Sequence, residues 1–154
     1  MLIKEQAPAV VPALPNSFTG LMDLYETNYM QLKLLLGSIQ ALPDQQLARV
    51  AERLPVRLEV RERSAHTTTL FMTYVFSSYT EAVQETRPDL LVRIYHDALQ
   101  AEVIHHRCRF DERMRHNQPL ALDNMLSCRW RMNRFLFKWI SYLRRQGYVF
   151  QEKD

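Results

Sequence analysis

The chain has 154 residues, 47% hydrophobic and 24% charged, with 3 glycines, 7 prolines and a net charge of +3. Those values exclude collagen-like, low-complexity and wholly disordered chains, and a chain of this length can bury roughly 68–70% of its unfolded surface in one core. No apolar run approaches the roughly 20 residues of a membrane-spanning helix, so no membrane is expected among its partners.

Residues 1–16 set Lys4 against Glu5 and interrupt their apolar stretch with Pro8, Pro12 and Pro15. This reads as an extended arm rather than a secretory signal. Ser17 or Thr19 then caps a helix in which Phe18, Leu21, Tyr25, Leu32, Leu35 and Leu36 recur at helical spacing, with Met22 and Tyr29 on its flanks. Gly37 stands where the helix should end. After Pro43, Asp44 is placed to cap a short amphipathic helix carrying Leu47, Val50, Ala51 and Leu54, although the same residues could lead into a strand.

The period then changes. Leu58, Val60 and Glu62 alternate with Glu59, Arg61 and Arg63, the pattern of a strand with one wet face. Ser64 to His66 make a turn, and residues 67–76 read as an interior strand rich in β-branched and aromatic side chains. Arg87-Pro88-Asp89 breaks the next stretch, Leu91 to Tyr95 form a third strand, and residues 97–100 connect it to a fourth over 101–110. A charged loop covers 111–119, and Asp123 is expected to cap a last helix that runs to Gln146 and stops at Gly147. Strands that run together between helices argue an antiparallel sheet with helices on one side. The fold class is α+β: an arm over 1–16, one domain over 17–150 with about four strands and a long C-terminal helix packed on the sheet, and a tail over 151–154.

The last helix has more than one face. With Met132 as origin, Cys128, Phe135, Leu136, Trp139, Tyr142 and Leu143 fall within about 80° and make a core face. Leu126, Trp130, Phe137 and Ile140 form a second apolar strip at about 80–160°, and Arg131, Arg134, Lys138 and Arg145 a basic stripe at about 200–260°. The second strip has three readings: cover for an edge of the same fold, a twofold homodimer interface, or a groove for a partner. Trp130 is its most informative residue, because buried aromatics carry disproportionate interface energy. The basic stripe belongs to a C-terminal segment, 105–154, with 11 basic residues against 5 acidic. Its plainer reading is a solvated face, and an acidic protein, a phosphorylated ligand or nucleic acid are the alternatives.

Val92-Arg-Ile-Tyr-His-Asp-Ala98 followed by Ala101-Glu-Val103 resembles the YqiB-like family of short bacterial proteins of unknown function. The resemblance extends to Met22, Glu26, Asn28, Gln31-Leu32 and Leu35-Leu36, to Leu58, Val60, Glu62 and Thr68-Thr-Leu70, and to Asn133, Phe135-Leu136, Trp139, Tyr142-Leu143 and Gly147. It covers most of residues 18–148 and implies a stand-alone cytoplasmic domain, with no activity to carry over. The family pattern does not require His105, His106, Cys108 or the arginines at 129, 131 and 134.

The candidate chemistry is sparse. His96, Asp97 and Glu102 meet near a turn, but adjacent strand residues face opposite sides, so a turn role for Asp97 and a partly buried His96 are the plainer readings. Arg93 and Glu62 could pair, or hold an anion with Thr67 to Thr69 adding hydroxyls. His106 and Cys108 share one strand face, yet with His116 and Cys128 they match no zinc spacing, so no metal is expected. Glycine occurs only at 20, 37 and 147, which argues against phosphate-loop and dinucleotide cofactor sites. Two cysteines without CxxC spacing suggest reduced thiols in the cytoplasm.

The sequence therefore reads as an interaction or regulatory domain with no catalytic residues and no cofactor. Its expected partner is another protein or a second copy of itself, with Leu126, Trp130, Phe137 and Ile140 as the interface. The alternative is a small-anion or nucleotide site built from Arg93, His96, Glu62 and Glu102. Nucleic-acid binding through the arginine stripe is the least favoured.

Overall fold

A computed structural model describes residues 17–75, 89–104 and 118–150, with the backbone alone over 118–124. Helix α1 spans Phe18–Leu36, and Ser17 is its cap, its hydroxyl accepting from the Gly20 N–H at 2.9 Å. Gly37 ends α1 at φ 77°, a conformation that costs glycine little, and its N–H donates to the Lys33 carbonyl. A 3-10 turn at Ile39–Ala41 follows and buries Ile39.

Five strands form one antiparallel meander in chain order: β1 Gln45–Ala48, β2 Val56–Arg63, β3 Thr67–Tyr74, β4 Asp89–Tyr95 and β5 Gln100–Val103. Helix α2, Gln118–Gln146, closes the order, and the Gly147 N–H donates to the Arg144 carbonyl. The architecture is α+β, as the order of predicted elements implies.

Three expectations need correction. The short helix after Asp44 is strand β1, which makes the sheet five-stranded rather than four. Its backbone pairs with β2, from Gln45 opposite Glu59 to Ala48 opposite Val56, and the burial follows the sheet. Ala48 is buried, while Leu47 and Leu54 of the supposed helical stripe are exposed. A helical pattern over so few residues is weaker than an available strand edge. Asp123 is not a cap, since α2 begins at Gln118 and position 123 lies inside it. Finally, Cys128 is disulfide-bonded, against the expected reduced thiols. Cysteine count and CxxC spacing do not report whether a fold brings two sulfurs within bonding distance. Its partner lies outside the described residues, as do the arm, the tail, His105, His106, Cys108, His116 and the charged loop over 111–117.

One face of the sheet forms the core. Val56, Leu58, Leu70, Met72, Val92, Ile94, Ala101 and Val103 are buried there against Leu32 and Leu36 of α1 and Leu136, Ile140 and Leu143 of α2. Five strands at about 4.8 Å spacing span about 19 Å, which one helix about 10 Å wide cannot cover. Two helices lie side by side instead, and this accounts for the second apolar strip of α2. Trp130 packs with Leu21, Leu24 and Tyr25 of α1, with Leu126 and Phe137 half-buried around them, and Ile140 is in the main core. The buried arc of α2 is centred between the two strips, so Phe135 on the far side of the assigned core face is 44% exposed.

A polar tie crosses this apolar packing. Asn133 of α2 is fully buried; its Oδ1 accepts from the Val103 N–H of edge strand β5 at 2.8 Å, and its Nδ2 donates to the Arg129 carbonyl. Asn28 of α1, also fully buried, donates from Nδ2 to the Asn133 carbonyl at 3.1 Å. Asn133→Ala leaves the Val103 N–H buried without an acceptor, so we expect a loss of about 2–3 kcal/mol in urea unfolding. Asn28→Ala frees only a carbonyl already inside a helix, and about 1 kcal/mol is expected. Equal losses for the two would contradict this ordering. A thiol titration of protein unfolded without reductant should find no free cysteine; two titratable thiols would restore the reduced state.

Candidate functional site

The sheet face opposite the helices carries the predicted ionisable residues, and register decides which of them meet. Arg93 lies opposite Glu102 on β5 and opposite Thr69 on β3. Glu62 also lies opposite Thr69, because a bulge between Val60 and Glu62 inserts Arg61 and turns the end of β2 over. Strict alternation would have put Glu62 on the core face with Leu58 and Val60. The bulge thus places Glu62, Thr69, Arg93 and Glu102 in one row across four strands.

The row is not one ion-pair cluster. Arg93 Nε donates to Thr69 Oγ1 at 3.4 Å, and among the described residues no carboxylate lies within 4 Å of Arg93. Glu62 is exposed and has no ion pair among them. Arg61, the inserted residue, sits 4.3 Å from the Phe71 ring centroid and 3.0 Å from Glu59. Arg63 folds back onto Asp44 at 2.9 Å and the Leu42 carbonyl at 2.7 Å, tying the bulged end to the segment before β1.

His96 is elsewhere. It opens the four-residue turn between β4 and β5, and its Nε2 is 2.7 Å from Thr68 Oγ1, on the core side of β3. Burial lowers the His96 pKa below its ordinary 6.5, opposed by Asp97 and reinforced by His66. His66 and Asp97, 3.9 Å apart, are both exposed. Arg93, Glu62 and Glu102 share a face that His96 does not, so the four side chains do not converge on one ligand atom.

Glu102 has the richest surroundings, and sequence reasoning missed most of them. The Tyr95 hydroxyl donates to its Oε2 at 2.6 Å. Although Glu102 leaves β5 on the face away from the core, α1 runs along the β5 edge and brings the buried Tyr25 near its carboxylate. Burial raises the Tyr25 pKa and Glu102 raises it further, while Arg129 of α2 lowers it. Tyr95 is raised as well, by burial first and then by Glu102. The connection expected at 97–100 would have set Arg93 opposite residue 104; the turn at 96–99 sets it opposite Glu102, and Tyr25 and Arg129, 77 and 27 residues from Glu102, left no local signal.

Between the helices is a second feature. Thr27, Met30, Gln31 and Leu34 of α1 face Phe137, Ser141, Arg144 and Arg145 of α2 across a groove of about 440 Å3. Gln31 Nε2 donates to Ser141 Oγ at 2.6 Å and Gln31 Oε1 accepts from Arg144 Nη1 at 2.7 Å, bridging the two helices. Met30 and Leu34 are 63% and 64% exposed. The basic stripe flanks the groove, with Arg131, Arg134, Lys138 and Arg145 all exposed and no carboxylate within 4 Å among the described residues. The predicted interface is placed differently. Trp130 and Ile140 are buried against α1 and the core, which removes them from any surface open to a second molecule, and Phe137 alone of the four lines the groove. Among the described residues no group of three or more potential ligands could hold a metal, and no helix is long and apolar enough to cross a membrane.

The family model described as "Protein of unknown function (DUF1249)" matches residues 31–149. The chain is 30% identical over 132 residues to "Uncharacterized protein YqiB" of Escherichia coli strain K12, covering 84% of this chain and 90% of that protein. The Escherichia coli O157:H7 protein of the same name matches to the same extent. No solved structure matches the chain significantly.

The lowered pKa of His96 has a consequence for stability. Unfolded chain binds a proton on this side chain near pH 6.5 while the folded form resists it, so stability is full above that pH and falls as the pH drops toward the folded value. His96→Gln should flatten the loss of stability below about pH 6.5 in urea melts. An imidazole resonance titrating at or above 6.5 in the folded protein would contradict it.

Proposed function

The chain belongs to the DUF1249 family of proteins of unknown function, and from the helix-pair geometry we propose that it is a protein-interaction domain that docks an acidic, amphipathic helical segment of another protein. The observation that carries this reading is the groove between α1 and α2, where exposed Met30 and Leu34 lie beside Arg144 and Arg145. Large apolar side chains left at the surface next to each other mark contact sites more often than chance exposure does. A helical segment laid in such a groove anchors through side chains at i, i+3 or i+4 and i+7, and the Met30–Leu34 spacing presents matching holes.

Charge selects the partner. Arg144 and Arg145 close one end of the groove and Lys138 and Arg134 follow along the exposed face of α2, so acidic residues on the partner would gain and basic ones lose. Arginine is suited to carboxylates because its fork makes paired hydrogen bonds. The cytoplasm is the compartment of this reading, and the Cys128 disulfide is the observation that weighs against it.

A displayed library of acidic amphipathic helical peptides tests the proposal on the full chain. We expect enrichment of sequences with apolar anchors at helical spacing, binding that weakens with salt, and loss of binding of about tenfold or more in Leu34→Asp and in Arg145→Glu. Both positions are exposed, so neither change should disturb the fold. No enrichment, or binding indifferent to Leu34→Asp, overturns the reading. Light scattering that finds a dimer broken by Leu34→Asp would replace the partner with a second copy of the chain. Affinity for mixed-sequence RNA falling steeply with salt and untouched by Leu34→Asp would replace it with nucleic acid.

A further inference from the structure

A separate pocket lies where the start of α1, the middle of α2 and edge strand β5 meet. Its volume is about 480 Å3, and Leu21, Met22, Met125 and Leu126 supply apolar wall while Glu102 and Arg129 supply its charged lining. The Tyr25 hydroxyl lies near both charges, yet Glu102 and Arg129 are not within 4 Å of each other. Two opposite charges therefore stand apart at one end of an apolar pocket, with one hydroxyl between them.

We propose that this pocket binds a free α-amino acid with an apolar side chain, its ammonium on Glu102, its carboxylate on Arg129 and its side chain among Leu21, Met22, Met125 and Leu126. The head group follows from the charges. A purely anionic ligand would meet Glu102 and a purely cationic one would meet Arg129, whereas a zwitterion carrying both signs on neighbouring atoms satisfies the two together. The bonding capacity is present. A carboxylate offers about four lone-pair sites, of which the Tyr95 hydroxyl takes one, and a guanidinium has five donors. The Glu102 carboxylate is also held in place, and the backbone that carries Arg129 is anchored. Tyr95 holds Glu102 at 2.6 Å, and the Arg129 backbone is fixed by the Asn133 side chain at 2.9 Å. Burial and the nearby Glu102 raise the Tyr25 pKa, so its hydroxyl stays protonated beside the carboxylate. The volume is in the range of small-molecule sites.

The test is a calorimetric titration of the full chain with L-leucine, L-methionine and L-phenylalanine, alongside N-acetyl-leucine, which lacks the ammonium, and leucinamide, which lacks the carboxylate. We expect at least one of the three amino acids to bind, and both leucine derivatives to bind about tenfold more weakly or worse than leucine. Arg129→Met should weaken leucine by a similar factor and leave leucinamide no weaker, since that cation has nothing for the guanidinium to hold and is repelled by it. Absence of binding by all three amino acids, or derivatives that bind as well as leucine, overturns the proposal without recourse to any variant. Leu34→Asp lies in the groove between the helices and should leave amino-acid binding intact; its loss there would move the site away from Glu102.

Discussion

The arrangement of both helices on the sheet depends on one buried polar contact, the acceptance of the Val103 N–H by Asn133. Val103 lies on edge strand β5, where an outward N–H has no further strand to pair with. An edge donor buried under helices costs as much as a lost hydrogen bond unless something accepts from it. Asn133 fills that role from α2, and its own carbonyl then receives Asn28 from α1. Apolar packing would tolerate a helix sliding or rotating by a few ångströms, but a hydrogen bond with defined length and angle does not. Three elements are thereby held in one registration.

That registration generates the surfaces argued to be functional. Fixing α2 against β5 at Asn133 puts Arg129, one turn earlier, beside Tyr25, and α1 along the β5 edge brings the Tyr25 hydroxyl to Glu102. Further along, the same side-by-side packing leaves a furrow bridged by Gln31, Ser141 and Arg144. The sheet contributes through a different device. The bulge at Arg61 reverses the last residues of β2, so Glu62 joins the row of Thr69 and Arg93 that strict alternation would have denied it. Because Thr69 stands between them, the row is a set of separate charges and not a buried pair.

Much of the architecture was legible in local pattern. Ser17 and Gly37 bracket α1 because a cap hydroxyl and a positive-φ glycine are local requirements. The strands β2 to β5 were legible because β-branched and aromatic residues are local signals too, although the last turn lies at 96–99, one residue before the expected 97–100. Over 44–54, Leu47, Val50 and Leu54 satisfy a helical period by themselves, and only β2 lying alongside decides for the strand alternative over Gln45–Ala48. The strip of Leu126, Trp130, Phe137 and Ile140 was correctly seen as surplus to one sheet contact. What covers it was a question of width, since a fifth strand demands a second helix and the count of strands fell one short.

For the candidate sites the division is sharper. Amino-acid order determined that the chain is α+β, that α2 has a basic face with Arg131, Arg134, Lys138 and Arg145 exposed, and that two strands flank a short turn just before Glu102. Each of these follows from a period of 2 or 3.6 residues or from a short turn. Tertiary structure alone decided that Tyr25, Glu102 and Arg129 share a pocket, that Met30 and Leu34 stay exposed beside arginine, and that Glu62 changes face. Those outcomes depend on how far apart two helices sit and where one extra residue enters a strand, and neither distance nor insertion leaves a mark in the periodicity of the chain.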